Sequence, residues 1–253
     1  MPKPIIIDCD PGHDDAIALL LAFAKPELVK VLAVTIVAGN QTLEKTVLNA
    51  LKVLSFAGIE CEVAAGYDRP LLRTLEIAPE VHGESGLDGP ILPEPNFKAS
   101  TKHGVQTIID HVRTSKEKVT LVPTGPLTNI GAALLGAPDI KENIERIVLM
   151  GGAAREGNWT PAAEFNILVD PEAASVVFQS GIPITMVGLD VTHEAQVMAS
   201  DVEFLLNSGK KVGVMVGELL EFFGEFHKTM GFAGMPLHDP LAMATVLEPT
   251  IVE

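Results

Sequence analysis

Short, unbroken apolar runs rich in Val and Ile alternate along this chain with longer stretches whose apolar positions recur at helical spacing. The runs at 4–9, 29–37, 119–122, 146–150 and 183–189 show no polar alternation, so they predict strands buried on both faces. Between them, 14–25 (DDAIALLLAFAK), 41–57, the region 127–135 and 172–179 predict helices; Leu43, Val47, Leu51 and Leu54 share one face. This alternation predicts an α/β fold: a single domain whose open, mostly parallel β-sheet is flanked by helices. The site is expected at the C-terminal ends of the strands, where open α/β sheets form their ligand crevice. Beyond 183 the pattern turns helical, with helices predicted at 201–206, 212–227 and 241–247. Two segments break the rhythm, a Gly/Pro-rich stretch at 66–100 and a glycine-rich one at 151–165. Loops of that length in a compact domain usually carry function.

Composition narrows the partner. The 253 residues are 47% hydrophobic and 20% charged, too apolar for disorder. Lys+Arg number 18 against Asp+Glu 33, a net charge of −15, which argues against a nucleic-acid backbone as ligand. The longest apolar run, 16–24, is about half of what spans a bilayer. The first apolar stretch runs straight into Asp8, unlike a signal peptide. Cys9 and Cys61 have no CxxC spacing and are expected to be reduced thiols in a cytoplasmic protein. The expected partner is a small molecule, with no nucleic acid and no membrane.

The chemistry concentrates after the first strand, in IIIDCDPGHDD. Asp8, Asp10, Asp14 and Asp15 fall where a central strand hands over to a helix. One such Asp reads as an N-cap or a first-turn residue stabilised by the helix dipole. Four carboxylates within eight residues repel one another strongly and imply a cation. The candidate donors are all oxygens, which favours a hard ion such as Ca²⁺ or Mg²⁺. A DxD at a strand end also resembles the haloacid-dehalogenase phosphatases, which would make this a Mg²⁺-dependent phosphohydrolase. Gly12 stands where that pattern has Thr or Val, and His13-Asp14-Asp15 is foreign to it. No P-loop is present, no GxGxxG follows a strand, and HGESG lacks the spacing of a nucleophile elbow.

The run DCDPGHDDAIALLLA resembles the N-terminal signature of the nucleoside hydrolases, the inosine–uridine-preferring N-ribohydrolases. VAGNQT at 37–42, VHGESGLDGP at 81–90, PTGPLTN at 123–129, MGGA and GNWTPAAEFNILVDPEAA within 150–174, and LHDP at 237–240 extend the resemblance in order along the chain. VHGESGLDGPILPEP and NWTPAAEFNI are similar to the pyrimidine-specific ribonucleoside hydrolases. The resemblance implies hydrolysis of the N-glycosidic bond of ribonucleosides, pyrimidine-preferring with inosine as a further substrate, to ribose and free base. It implies Ca²⁺ held by Asp10, Asp15, the Thr124 carbonyl and Asp239, with a calcium-bound water as nucleophile and Asp10 as its general base. Asp14, Asn40, Glu164 and Asn166 match ribose-contacting positions of that family, with Asn158 and the backbone near Met150 close by as further substrate-binding candidates. His238 is the implied proton donor to the leaving group, and His82 a second base-side candidate. Phe165 could stack on a base, as could Phe222, Phe223 and Phe226, although helical spacing makes those three core residues first.

Read as an extended segment, Glu164 and Asn166 would point to one side. Asp239-Pro240, like Asp170-Pro171, also reads as an N-cap followed by proline. The family typically continues for several tens of residues beyond the LHDP helix, so 1–253 is expected to be one nucleoside-hydrolase-like domain without that C-terminal segment. A truncated, non-catalytic member that binds Ca²⁺ or ribose is the alternative this raises. The resemblance also implies a homo-oligomer, commonly a tetramer.

Overall fold

The apolar run at the N-terminus becomes the central strand of a parallel sheet, and its alternate residues seed two cores. The computed structural model describes residues 1–252. In chain order the strands of this sheet are β1 (Lys3–Cys9), β2 (Val29–Ile36), β3 (Val63–Ala65), β4 (Val119–Pro123), β5 (Ile144–Met150) and β6 (Ile184–Val187). Among the described residues they form one six-stranded sheet in the order β3-β2-β1-β4-β5-β6, every pairing parallel. The order reverses between β1 and β4, so the crevice of this α/β sheet opens at the ends of those two strands.

The helices that cover the sheet are α1 (His13–Phe23), α2 (Leu43–Ala57), α3 (Pro79–His82), α4 (Gly104–Thr114), α5 (Thr128–Gly136), α6 (Phe165–Val169) and α7 (Pro171–Phe178). Then come α8 (Leu189–Thr192), α9 (Ala199–Leu206), α10 (Lys211–Thr229) and α11 (His238–Leu247), with a short antiparallel pair, β7 (Gln196–Val197) and β8 (Met235–Pro236). Period-two geometry sends Ile5, Ile7 and Cys9 to one face, against Leu19, Leu54 and Met243 of α1, α2 and α11. Ile6 points the other way, into a cluster with Ile108, Ile130 and Val177 of α4, α5 and α7. The three isoleucines are fully buried, each contributing about 1.5–3 kcal/mol.

The predicted strands and the mostly parallel sheet are therefore present, with small boundary shifts. The expectation that 164–166 is extended is not met. Glu164 is the N-cap of α6, accepting from the backbone N–H of Asn166 and Ile167, so Phe165 and Asn166 begin a helix. Nor does Asp239 cap α11: the cap is Leu237, and Asp239 lies in the first turn. Asp170 does cap α7, ahead of Pro171. No helix among the described residues is long and apolar enough to cross a membrane.

Asp170 also ties the long loop to the sheet layer. One of its oxygens accepts from Ala173 N at 2.9 Å; the other accepts from Leu71 N at 2.9 Å and the Thr128 hydroxyl at 2.7 Å. Replacing this buried residue leaves the cap and two further donors without a partner. Asp170→Ala is expected to destabilise the fold by about 3 kcal/mol and to lower Tm by roughly 6–12 °C in thermal unfolding; a change within about 1–2 °C would contradict the assignment.

Candidate functional site

The strand ends place five carboxylates where β1 and β4 diverge. Asp8 and Asp10 leave β1, Asp14 and Asp15 form the first turn of α1, and Asp239 arrives on α11. All five are buried. Asp8 accepts from the Thr35 hydroxyl and from Asn129 Nδ2. Asp10 Oδ2 accepts from Asn40 N at 2.7 Å, while Oδ1 is buried with no hydrogen-bond partner. Asp15 accepts from Gly12 N (3.0 Å), Asn40 Nδ2 (3.2 Å) and the Thr124 hydroxyl (2.9 Å). Asp14, Asp15 and Asp239 each bring a carboxylate oxygen within 4.8 Å of the others. Gly39 and Gly125 press against Asp10 from two sides, and a Cβ at either would collide with its carboxylate.

Burial pushes the carboxyls of Asp10, Asp14, Asp15 and Asp239 above their ordinary range. The neighbouring charges raise Asp10, Asp14 and Asp239 further, and Asp14 reaches about 7. None of the described residues lining the adjoining cavity is Lys or Arg. Nothing lining the cavity offsets the negative charge, and two buried carboxylate oxygens, Asp8 Oδ2 and Asp10 Oδ1, lack a partner, so the cluster fits a hard dication with oxygen ligands.

The cavity has a volume of about 490 Å³, within the usual range for a small-molecule site. Of the residues singled out in the sequence, Asp14, Asn40, His82, Thr124, Met150, Asn158, Glu164, Phe165, Asn166, His238 and Asp239 line it. Asp10 and Asp15 are fully buried behind its wall. Glu164 is held by three backbone N–H groups, those of Gly152, Asn166 and Ile167. Asn166 Nδ2 donates to the Thr124 carbonyl at 2.8 Å, and Asn158 Oδ1 accepts from Phe165 N at 2.9 Å.

The cavity lining is also rich in aromatic and imidazole rings. Phe223, Phe226, Phe232, His193, His227 and Trp159 contribute to it together with His238. Phe223 and Phe226 thus sit on the cavity, whereas Phe222 stacks on His13 with centroids 5.1 Å apart. His193, His227 and Trp159 carried no sequence signal, since only the end of α8, the return of α10 and the 151–165 loop bring them here. His103 instead caps α4, and His111 pairs with Glu62 at 2.9 Å. Burial pulls His238 down to about 3, with His227 and His193 adding to the shift.

The family described as inosine-uridine preferring nucleoside hydrolase matches residues 5–253. The pyrimidine-specific ribonucleoside hydrolase RihA of Shewanella sp. (strain ANA-3) is 56% identical over 256 residues, covering 100% of this chain and 80% of that protein. RihA of Photobacterium profundum is 56% identical over 254 residues, covering 99% and 82%. Among solved structures, the purine-preferring ribonucleoside hydrolase from Gardnerella vaginalis superposes with a TM-score of 0.95 at 36% identity, over 99% of this chain and 82% of that one.

Each carboxyl of the cluster keeps its proton to higher pH when folded than when unfolded. Without metal, the folded state therefore loses stability as pH rises from the ordinary carboxylate range toward the raised values, about 7 for Asp14. A dication needs the ionised forms and reverses that loss. The increase in Tm on adding Ca²⁺ to chelator-treated protein is expected to be small near pH ~5 and to grow through pH ~8. An increment that does not change with pH would contradict the charge assignment.

Proposed function

The chain belongs to the inosine-uridine preferring nucleoside hydrolases and is a ribonucleoside hydrolase; we propose that it prefers pyrimidine ribonucleosides and uses Asp10 as general base and His238 as proton donor. The observation that carries this reading is one cavity lined both by carboxylates and amides and by aromatic and imidazole rings. The 56% identity to RihA proteins supports the pyrimidine preference. Family membership sets aside the DxD phosphohydrolase alternative. The same kinship supports a homo-oligomer, and the two free thiols support a cytoplasmic location.

Asp10, Asp15, the Thr124 carbonyl and Asp239 would hold Ca²⁺, with Asp14 beside them. When bound, the ion supplies the charge that lowers the pKa of an adjacent water and engages the ribose hydroxyls. Asp10 keeps Oδ2 on Asn40 N–H, which leaves Oδ1 to take the proton of the attacking water. Asn40, Asp14 and Glu164 provide donors and acceptors for the sugar, and their carboxylates stabilise positive charge as the C1′–N bond lengthens. Asn166 fixes the Thr124 carbonyl. His238 is oriented by the Thr192 hydroxyl, 2.8 Å from Nδ1. In the imidazolium form Nδ1–H donates to that hydroxyl oxygen, and the Nε2 proton passes to the departing base, leaving the neutral ring that burial favours.

Release of free base from uridine, cytidine and inosine tests the reading. Activity should disappear with EDTA and return with Ca²⁺, and no release by folded, Ca²⁺-loaded protein would refute it. Asp10→Asn should cut kcat by at least about 10³-fold, since it removes a base and a charge together. His238→Ala should slow uridine cleavage by roughly 10²–10⁴-fold yet leave p-nitrophenyl riboside, whose leaving group needs no proton, much less affected. Equal losses on both substrates would remove His238 from that role.

A further inference from the structure

His13 is the one residue of the β1–α1 motif's charged and polar set, beyond Asp8, that the reaction scheme above does not use, although it is completely buried. Its ring is stacked among Phe222, Phe223 and His82, with centroids 5.1, 5.5 and 5.4 Å away and interplanar angles of 3°, 12° and 22°. Each ring nitrogen has a distinct partner. Nε2 lies 2.7 Å from the backbone carbonyl of Asp88. A carbonyl only accepts, so Nε2 carries a proton. Nδ1 lies 3.1 Å from Nδ1 of His82. In a neutral, buried imidazole with its proton on Nε2, Nδ1 is a lone pair, so the hydrogen in this contact belongs to His82.

The backbone N–H of His13 is also placed to donate to His82 Nδ1, at 3.4 Å, and a proton on that nitrogen gives up this longer contact for the 3.1 Å one. If His82 Nδ1 were unprotonated to accept the backbone N–H, two lone pairs would face each other at the shorter ring-to-ring distance. Gly12 makes the arrangement possible: a Cβ there would meet His82 Nδ1 at 2.6 Å and Cε1 at 2.7 Å. The loop carrying Asp88 is itself fixed, since the Asp88 carboxylate accepts from Glu84 N at 3.0 Å and Ser85 N at 3.2 Å.

We propose that His13, anchored on the Asp88 carbonyl, is a positioning residue that holds His82 in the Nδ1–H tautomer, so that His82 presents an Nε2 lone pair to the cavity as an acceptor for an O–H or N–H group of the bound nucleoside. His82 thereby selects nucleosides with a hydrogen donor at that point, and His238 is left as the histidine that gives up a proton. This division of roles rests on the hydrolase reading, but the tautomer itself does not.

Long-range ¹H–¹⁵N correlation spectra of the full-length protein labelled at histidine nitrogens decide the tautomer without any substrate. The His82 signals are assigned by their loss in His82→Phe. In the wild type, His82 Nδ1 should fall in the protonated range and Nε2 in the unprotonated range; the reverse assignment would overturn the proposal. His13→Phe keeps the ring stack and removes both nitrogens, and it should release His82 toward the Nε2–H form. His13→Asn, whose amide oxygen can accept from His82, should restore the wild-type pattern.

In kinetics, His13→Phe should lower kcat/KM for uridine about tenfold, and the double variant with His82→Phe should be no worse than His82→Phe alone. Multiplying losses would show that His13 acts independently of His82 and would overturn the positioning role. If no nucleoside is cleaved, the hydrolase reading fails while the wild-type spectrum still decides this one.

Discussion

Mutual repulsion among buried carboxylates is the constraint on which the rest of this structure depends. Five aspartates sit at the ends of β1 and β4 with no Lys or Arg lining the cavity beside them. A chain bears such a cost only where a ligand or metal relieves it. The surroundings are built to keep the cluster in place. The apolar β1 is locked on both edges by parallel neighbours. Asn40 and Thr124 donate into the carboxylates, and Gly39 and Gly125 leave the space that Asp10 occupies.

The cavity above the cluster is divided by chemistry. Its carboxylates and amides suit a polyhydroxylated sugar and a cation, and its Phe223, Phe226, Phe232 and histidines suit a planar, polar-edged ring. Part of each set comes from a different stretch of chain: Asp10, Asp14 and Asp15 from the junction between β1 and α1, and Phe223, Phe226 and His227 from α10. The α10 side chains can thus be exchanged without altering the junction that carries the aspartates. That separation is consistent with one fold serving a relative named as pyrimidine-specific and another named as purine-preferring.

Most of the acidic end was legible in the amino-acid sequence because it is local. Asp8, Asp10, Asp14 and Asp15 lie within one strand-to-helix turn, and the buried strand before them reads as an apolar run. Elements made by short or mixed patterns were not legible. Strand β3 has three residues, and α4 follows a long loop that hides its start, although Val105, Ile108, Ile109 and Val112 recur at helical spacing. The alternation at 164–166 looked extended because the sequence does not reveal that the Glu164 side chain folds back to cap its own helix. The base-side wall depends on how α10 returns to the cavity, and the His13–His82 contact joins residues 69 positions apart. Neither leaves a trace in local spacing.

Calorimetric titration of chelator-treated protein with Ca²⁺ at pH ~7, repeated in buffers of different ionisation enthalpy, tests the central claim most directly. If the carboxylates hold protons above their ordinary range until a dication arrives, one site per chain should bind, and binding should release protons, seen as an enthalpy that varies with the buffer. Binding with an enthalpy identical in every buffer, or no binding at all, would contradict the account.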